Sequence, residues 1–384
     1  MITRIKSSRI ITPEGLFSGY VYLDETQILQ VTAEELPCER TYDFGDQYVS
    51  PGFIDLHVHG GNGKDFCQSS PQEVAEAADF HLRHGTTTIV PTITSVSFDA
   101  MERALENIRV CVNEGYQQAN IAGVHLEGPY FSPLQCGAQN PDKILTPQKE
   151  AYGPLLERHG DLIKRWSYAP EVDRDLAFVK ALVRHDVIPA IGHSDAIYDD
   201  CMAAYEQGCK LVTHLYSCTS TITRVGGYRR LGVLETAYLL DDMDVEIIAD
   251  GKHLPPELIR MICKIKGYDH VCLVTDAIQA AGTTQTQGDL AGVPYVIDDG
   301  VAKLLDRSAF AGSIATTDRL LRVCVQQVGI PVLDAVRMLT ENPARILRLN
   351  AGRLATGMRP DLVVFDDDVQ LHAVFAGGKQ ICIQ

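Results

Sequence analysis

Residues 53–61, Phe53-Ile54-Asp55-Leu56-His57-Val58-His59-Gly60-Gly61, form a short apolar run of β character that closes on two histidines and a glycine pair. An open, doubly wound α/β sheet usually carries a glycine-rich nucleotide fingerprint after its first strand. Here the strand ends in HVHGG, which is not GxGxxG. Seven further runs of the same kind follow: Thr86–Thr94, Ile121–Glu127, Ile163–Pro170, Val187–His193, Lys210–Leu215, Asp244–Asp250 and His270–Asp276. Helical stretches with a period near 3.6 lie between or after them, among them Pro71–His84, Phe98–Gln117, Asp173–Arg184, Pro255–Lys266 and Thr317–Val328. Pro71, Pro255 and Pro256 suit first-turn positions, where a missing N–H costs nothing. Eight alternations of β-branched strand and helix predict an α/β protein closed into a (β/α)8 TIM-like barrel, for which about 250 residues is the usual size.

Outside the barrel the pattern turns to β. Near the N-terminus, Ser18–Asp24, Gln27–Thr32 and Thr41–Asp46 are short, alternating and separated by turn residues. Near the C-terminus, Asp361–Asp366, Val369–Phe375 and Lys379–Ile383 read alike, with Gly377-Gly378 placed as a hairpin turn. The two sets are expected to pair into one small sheet domain, so that residues 1–50 and 346–384 flank a barrel of residues 51–345.

Composition narrows the class. A chain of 384 residues with 45% hydrophobic content is ample for a large core. Its formal charge of −16 argues against nucleic acid or an anionic membrane as the main partner, because both need basic surface. No apolar run reaches the roughly 20 residues of a membrane span. The opening MITRIKSSRIITPEG has neither a continuous apolar region nor a small-residue cleavage site. The 11 cysteines are scattered and include no CxxC, so they read as small hydrophobes of a cytoplasmic protein. Cys67, Cys136 and Cys218 have the wrong spacing for a shared thiolate site.

The chemistry lies in how the strands end. Strand one ends His57-Val58-His59, strand three His125-Leu126-Glu127-Gly128-Pro129, strand five Gly192-His193-Ser194, and strand six Thr213-His214-Leu215. Strand seven ends Ala249-Asp250-Gly251 with His253 just beyond, and strand eight ends Val274-Thr275-Asp276. Reactive residues of a (β/α)8 barrel gather at these C-terminal ends. Side chains alternate along a strand, so His57 and His59 share a face and can chelate one cation. Glu127, His193, His214 and Asp276 converge on the same mouth. Imidazoles with carboxylates suit zinc first and iron second, rather than calcium or magnesium. The remaining histidines read as structural. His81, His84, His159 and His185, on outer helices, are assigned surface roles, and His125 fills the barrel or supports a ligand. His270 and His372 are assigned to the scaffold.

The set PGFIDLHVHGG, GVHLEGPYFSP, GAQNP, IGHSDA, THLY, IADGKH, LVTDA and AGS resembles the N-acetylglucosamine-6-phosphate deacetylases of the amidohydrolase superfamily. HxH marks only the superfamily, whereas HLEGP followed by GAQNP, with IADGKH and LVTDA downstream, is more specific. The resemblance implies metal-dependent hydrolysis of an acetamido sugar to amine and acetate. It also implies a β-sandwich built from both termini, and a homodimer. By position it makes Glu127, His193 and His214 the principal metal ligands, with His57, His59 and Asp276 able to hold a second ion. It makes Asp276 the general base, Gln139 a group that polarises the carbonyl, and His253 a sugar contact.

One stretch departs from the family pattern. After THLY the chain reads Ser217-Cys218-Thr219-Ser220-Thr221-Ile222-Thr223-Arg224, then Val225-Gly226-Gly227-Tyr228-Arg229-Arg230. Ser217, Cys218, Arg224 and Arg229 are the candidates for holding a phosphate there, since guanidinium forks match phosphate oxygens. A different or unphosphorylated N-acetyl hexosamine is the first alternative substrate. A cyclic-amide hydrolase of the same superfamily is the second reading, although strand four ends Tyr168-Ala169-Pro170-Glu171 without a lysine. A catalytically inactive sugar-binding protein is the third.

Overall fold

The computed structural model describes residues 1–383. Eight parallel strands form the central sheet: Phe53–Val58, Thr86–Ile93, Val124–Glu127, Ile163–Tyr168, Ile188–Ile191, Leu211–Val212, Asp244–Ile247 and Val271–Leu273. A short bridge, Asn120–Ile121, precedes the third. Each strand pairs with the next in chain order. The ring is drawn together between strands eight and one by Asp276 N–H donating to His57 O at 2.9 Å and His59 N–H to Ala277 O at 2.8 Å. Thr275 Oγ1 adds a bond to Asp55 Oδ2 at 2.5 Å.

All eight expected runs appear as strands, but several are shorter than the apolar pattern suggests. Strand six pairs only over Leu211–Val212. His193, His214 and Asp276, expected within the ends of their strands, leave the extended conformation at φ 46°, 26° and 49°. The helices begin and end for local reasons. Pro71–Arg83 starts at a reciprocal cap between Ser70 and Glu73. Phe98–Glu114 stops at Gly115, whose φ of 67° suits a left-handed cap. The helix expected from Asp173 begins at Ala177, because the Asp173 carboxylate accepts the N–H groups of Phe178 and Val179 at 3.1 and 2.9 Å. Thr317–Arg322 is α-helical and continues as a π-turn over Val323–Val328. Helix Glu341–Leu347 packs Ala344 and Leu347 in one cluster with Ile54 and Leu56 of strand one, Cys272 of strand eight and Val274 just beyond it.

The terminal strands form one continuous eight-stranded sheet. Its order is Lys379–Ile381, Leu371–Ala376, Leu362–Phe365, Tyr48–Pro51, Thr3–Thr12, Gly15–Leu23 and Ile28–Thr32, with Arg40–Asp43 also on Thr3–Thr12. Tyr42 and Phe375 lie on strands that are not neighbours in that order, yet their rings are 5.2 Å apart and edge to face. The sheet therefore folds over its own core of Ile5, Val21, Leu362 and Phe375. The sandwich is one sheet curled on itself. Thr3–Thr12, the longest of these strands, carries two serines and three basic residues and lacks the clean alternation that marks a strand.

Two insertions break the strand–helix rhythm. A hairpin, Thr223–Val225 with Tyr228–Arg230, follows strand six. A three-stranded antiparallel sheet, Gln287–Leu290, Val293–Asp298 and Val301–Leu304, follows strand eight. Among the described residues, no helix is long and apolar enough to cross a membrane.

Candidate metal centre

The barrel interior is polar where most such barrels are filled by branched aliphatic residues. Asp55, His57, His125, Arg165, Ser167, Thr213, Glu246 and Thr275 are all buried there. At its C-terminal mouth the structure brings together all six expected ligand residues, with Glu127 in the middle. Glu127 Oε1 lies 3.0 Å from His214 Nε2, 3.1 Å from His193 Nε2 and 3.5 Å from His57 Nε2. Its other oxygen lies 3.3 Å from His59 Nε2 and accepts from Gln139 Nε2 at 2.6 Å. Asp276 Oδ1 is 3.1 Å from His59 Nε2 and 3.4 Å from His57 Nε2.

The donor set fits a cation. His193 Nε2 and His214 Nε2 stand only 3.1 Å apart and both face one carboxylate oxygen. Ring nitrogens so placed require protons or a cation between them and the carboxylate. Two overlapping groups have ligand atoms mutually within 4.8 Å: His57, His59 and Asp276, and His57, Glu127 and His214. The supporting contacts aim the rings. The Nδ1 of His193 bonds Gln135 O at 2.9 Å, and that of His57 bonds Glu246 Oε2 at 3.2 Å. In each case this leaves Nε2 for the centre.

Charge follows the same logic. Burial alone would lower His57 and His59, but the facing Glu127 and Asp276 carboxylates raise them to about 9 and about 10. Burial alone would raise Glu127, and the histidines around it hold it well below the usual carboxylate range. Asp276 is lowered in the same way against its own burial, chiefly by His57 and His59.

Beneath the centre lies a pair that sequence reasoning missed. Arg165 of strand four and Glu246 of strand seven, both fully buried, form an ion pair directly under His57. Arg165 also donates to Leu56 O at 3.0 Å and Thr213 Oγ1 at 3.1 Å. The available signal was a charged residue at an interior position of each otherwise apolar strand. His125, expected to fill the barrel or support a ligand, lies buried between Thr92 Oγ1 at 3.1 Å and Ser167 Oγ at 2.7 Å, its ring 4.6 Å from that of His57.

Two histidine assignments are corrected. His81 is fully buried, and its Nε2 bonds Gly60 O at 2.9 Å, just behind His59. Burial lowers its pKa to about 4. His159 is also buried, in the contact between two outer helices. Both lie on amphipathic helices at positions turned inward. A helical location alone does not place a side chain on the surface.

A cavity of about 260 Å³ opens above the centre, lined by His59, Glu127, Gln139, His193, His214, Tyr216, Ser217, Cys218, His253 and Asp276. Leu290, Ala309 and Phe310, from the three-stranded insertion and its return, complete the wall and were not foreseen. Gln139 is oriented without ambiguity. Its oxygen accepts from Thr94 Oγ1 at 2.7 Å and Ser95 N–H at 2.9 Å, so its NH2 must face Glu127 and the cavity. His253 is held through Nδ1 by Asp250 Oδ2 at 2.9 Å, and its ring lies 4.6 Å from that of Phe310. Ser217 and Cys218 reach the cavity, but Arg224 and Arg229 do not. These arginines face each other in register on the exposed hairpin. Among the described residues that line the cavity there is no lysine or arginine.

The sequence profile of the amidohydrolase family matches residues 48–381. The N-acetylglucosamine-6-phosphate deacetylase of Lysinibacillus sphaericus is 32% identical over 335 residues, covering 87% of this chain and 85% of that protein. The N-acetylgalactosamine-6-phosphate deacetylase of Escherichia coli O157:H7 is 26% identical over 98% of each chain. Among solved structures, a variant N-acetyl-D-glucosamine-6-phosphate deacetylase of Mycobacterium smegmatis in complex with N-acetyl-D-glucosamine-6-phosphate superposes with a TM-score of 0.91. It is 32% identical, and the match covers 99% of both chains.

Proposed function

The chain belongs to the amidohydrolase family, and on that premise we propose that it hydrolyses the acetamide of an N-acetyl hexosamine 6-phosphate, N-acetylglucosamine 6-phosphate first, to the amine and acetate. The observation that carries the reading is the convergence of four imidazole nitrogens on Glu127, with Asp276 against His57 and His59, at the floor of a sugar-sized cavity. Glu127, His193 and His214 would hold one divalent cation, and His57, His59 and Asp276 with Glu127 would hold a second. We take zinc as the ion, because the donors are imidazole and carboxylate. A cation in this place supplies positive charge that acidifies water and polarises a carbonyl.

The chain's own groups do the rest. Asp276 takes a proton from the attacking water as its oxygen bonds to the acetyl carbon. As the C–N bond breaks, Asp276 returns that proton to the leaving nitrogen. Its backbone is clamped at both ends, N–H to His57 O and C=O from Ser313 N–H at 2.8 Å, so the carboxylate keeps its aim through both transfers. The second N–H of Gln139 faces the cavity as a donor for the carbonyl oxygen. His253, with Nδ1 committed to Asp250, presents Nε2 to the sugar.

Of the phosphate candidates only Ser217 and Cys218 line the cavity, and no lysine or arginine joins them among the described residues. We read the assembly as a cytoplasmic homodimer. The cyclic-amide reading gains no support from strand four, whose buried residues include Arg165 and Ser167 but no lysine.

Acetate release should be measured on metal-loaded protein across N-acetylglucosamine, N-acetylgalactosamine and their 6-phosphates. The expected result is turnover of a 6-phosphate that falls by about 10²–10⁴ in Asp276→Asn. Activity on the free sugars alone would remove the phosphate from the reading. Activity on dihydroorotate with none on acetamido sugars would replace it.

A further inference from the structure

We propose that Glu102, Glu106 and His159 form a separate divalent-cation site outside the barrel. It would link the helix Phe98–Glu114 to the helix Lys149–His159. The three residues offer one imidazole nitrogen and two carboxylate oxygens, all mutually within 4.8 Å. None of them lines the catalytic cavity.

His159 supplies the argument. Its side chain is only 7% exposed, yet neither ring nitrogen has a hydrogen-bond partner. Buried polar atoms in folded proteins are nearly always satisfied, and one that lacks a protein partner calls for a water or an ion. Its Nε2 points at Glu102 Oε1, 3.6 Å away, a separation that two ligands of one ion can share. Glu102 and Glu106 are four residues apart on one helix and so occupy the same face, where like charges repel. Glu106 has no cationic partner among the described residues.

Arg158 is the competing neighbour. Its Nη2 donates to Glu102 Oε2 at 3.1 Å, and its Nη1 lies 2.8 Å from Oε1 in an ion pair. Each carboxylate oxygen carries two lone-pair sites, so Glu102 can accept from Arg158 and still ligate. Two carboxylates against one guanidinium leave the cluster negative. The imidazole donor selects zinc, cobalt or nickel over magnesium or calcium. The remaining coordination positions face outward past exposed Glu106 and would hold water.

Equilibrium dialysis of the active holoenzyme against Zn²⁺, with bound metal counted per chain, tests the site. The wild type is expected to hold one more zinc per chain than Glu106→Gln or His159→Gln, and zinc should raise the melting temperature of the wild type more than that of either variant. Acetate release should be the same in wild type and Glu106→Gln. His159 is buried and its replacement can disturb folding, whereas Glu106 is exposed, so Glu106→Gln carries the decision. Equal zinc content and equal zinc-dependent stabilisation in wild type and Glu106→Gln would overturn the proposal.

Discussion

Replacing Arg165 by methionine tests whether the charge pair under the metal centre is a mutual necessity. The guanidinium is fully buried and its loss leaves Glu246, equally buried, without its counter-charge. It also removes the donors to Leu56 O, Thr213 Oγ1 and Ser167 Oγ. Removing one partner of a buried pair costs about 3–5 kcal/mol. Glu246 keeps His57 Nδ1 at 3.2 Å and the His214 N–H at 3.4 Å, so the lower end, about 3 kcal/mol, is expected. Glu246→Gln alone strands the arginine and should cost a similar amount. The double variant Arg165→Met/Glu246→Gln has no unpaired charge and keeps an acceptor for His57. It should therefore lose less than the sum of the singles, with a coupling of about 2 kcal/mol or more. Urea unfolding followed by tryptophan fluorescence reads the cycle locally, because the single tryptophan, Trp166, adjoins Arg165 in the same strand. Losses that simply add in the double variant would refute the reasoning.

Three more outcomes follow from the same geometry. His81 has a pKa of about 4 in the folded chain, below its ordinary 6.5, so the unfolded chain takes up the proton first as pH falls. Its contribution is whole above pH 6.5 and declines by about 3 kcal/mol toward pH 4. His81→Gln, which can still donate to Gly60 O, should flatten that part of the stability–pH curve, and an unchanged slope would count against it. In Gly312→Ala the new Cβ would stand 2.8 Å from Asp276 O at a φ of 73°, displacing the base. The expected effect is a fall in kcat of about 10²-fold with the fold retained by circular dichroism, and full activity would show that Asp276 tolerates the shift. Gln139→Ala should lower kcat by about 10²–10³ while bound metal is unchanged, whereas loss of metal instead would make Gln139 chiefly a support for Glu127.

The barrel and its ligands were legible because two periodicities coincided. Apolar runs marked the strands, and polar residues at their ends marked the mouth, so His57, Glu127, His193, His214 and Asp276 declared themselves together. What escaped had no such repeat. Arg165 and Glu246 are charges whose compensation lies on another strand, and no local pattern reveals a partner 81 residues away in sequence. The insertion that brings Leu290 and Phe310 to the cavity is a set of short antiparallel strands with mixed burial, indistinguishable from loop by composition. His81 and His159 escape because membership of an outer helix does not fix which way a side chain faces. The Arg224–Arg229 hairpin was legible as a departure from the family, but its separation from the cavity depends on how the chain returns to helix Val233–Leu239.

His193, His214 and Asp276 sit at positive φ, a conformation that costs an L-residue roughly 1–2 kcal/mol and that glycine adopts freely. Histidine and aspartate are among the side chains that visit it more readily than most, so the ligands and the bends that aim them make compatible demands. At these three places the amino acid best for reactivity and the one best for durability still differ. A descendant released from the need to work could drift toward glycine there and become sturdier as it fell silent. Heightened robustness in a homologue lacking these residues would then record a lost occupation rather than an adaptation to heat.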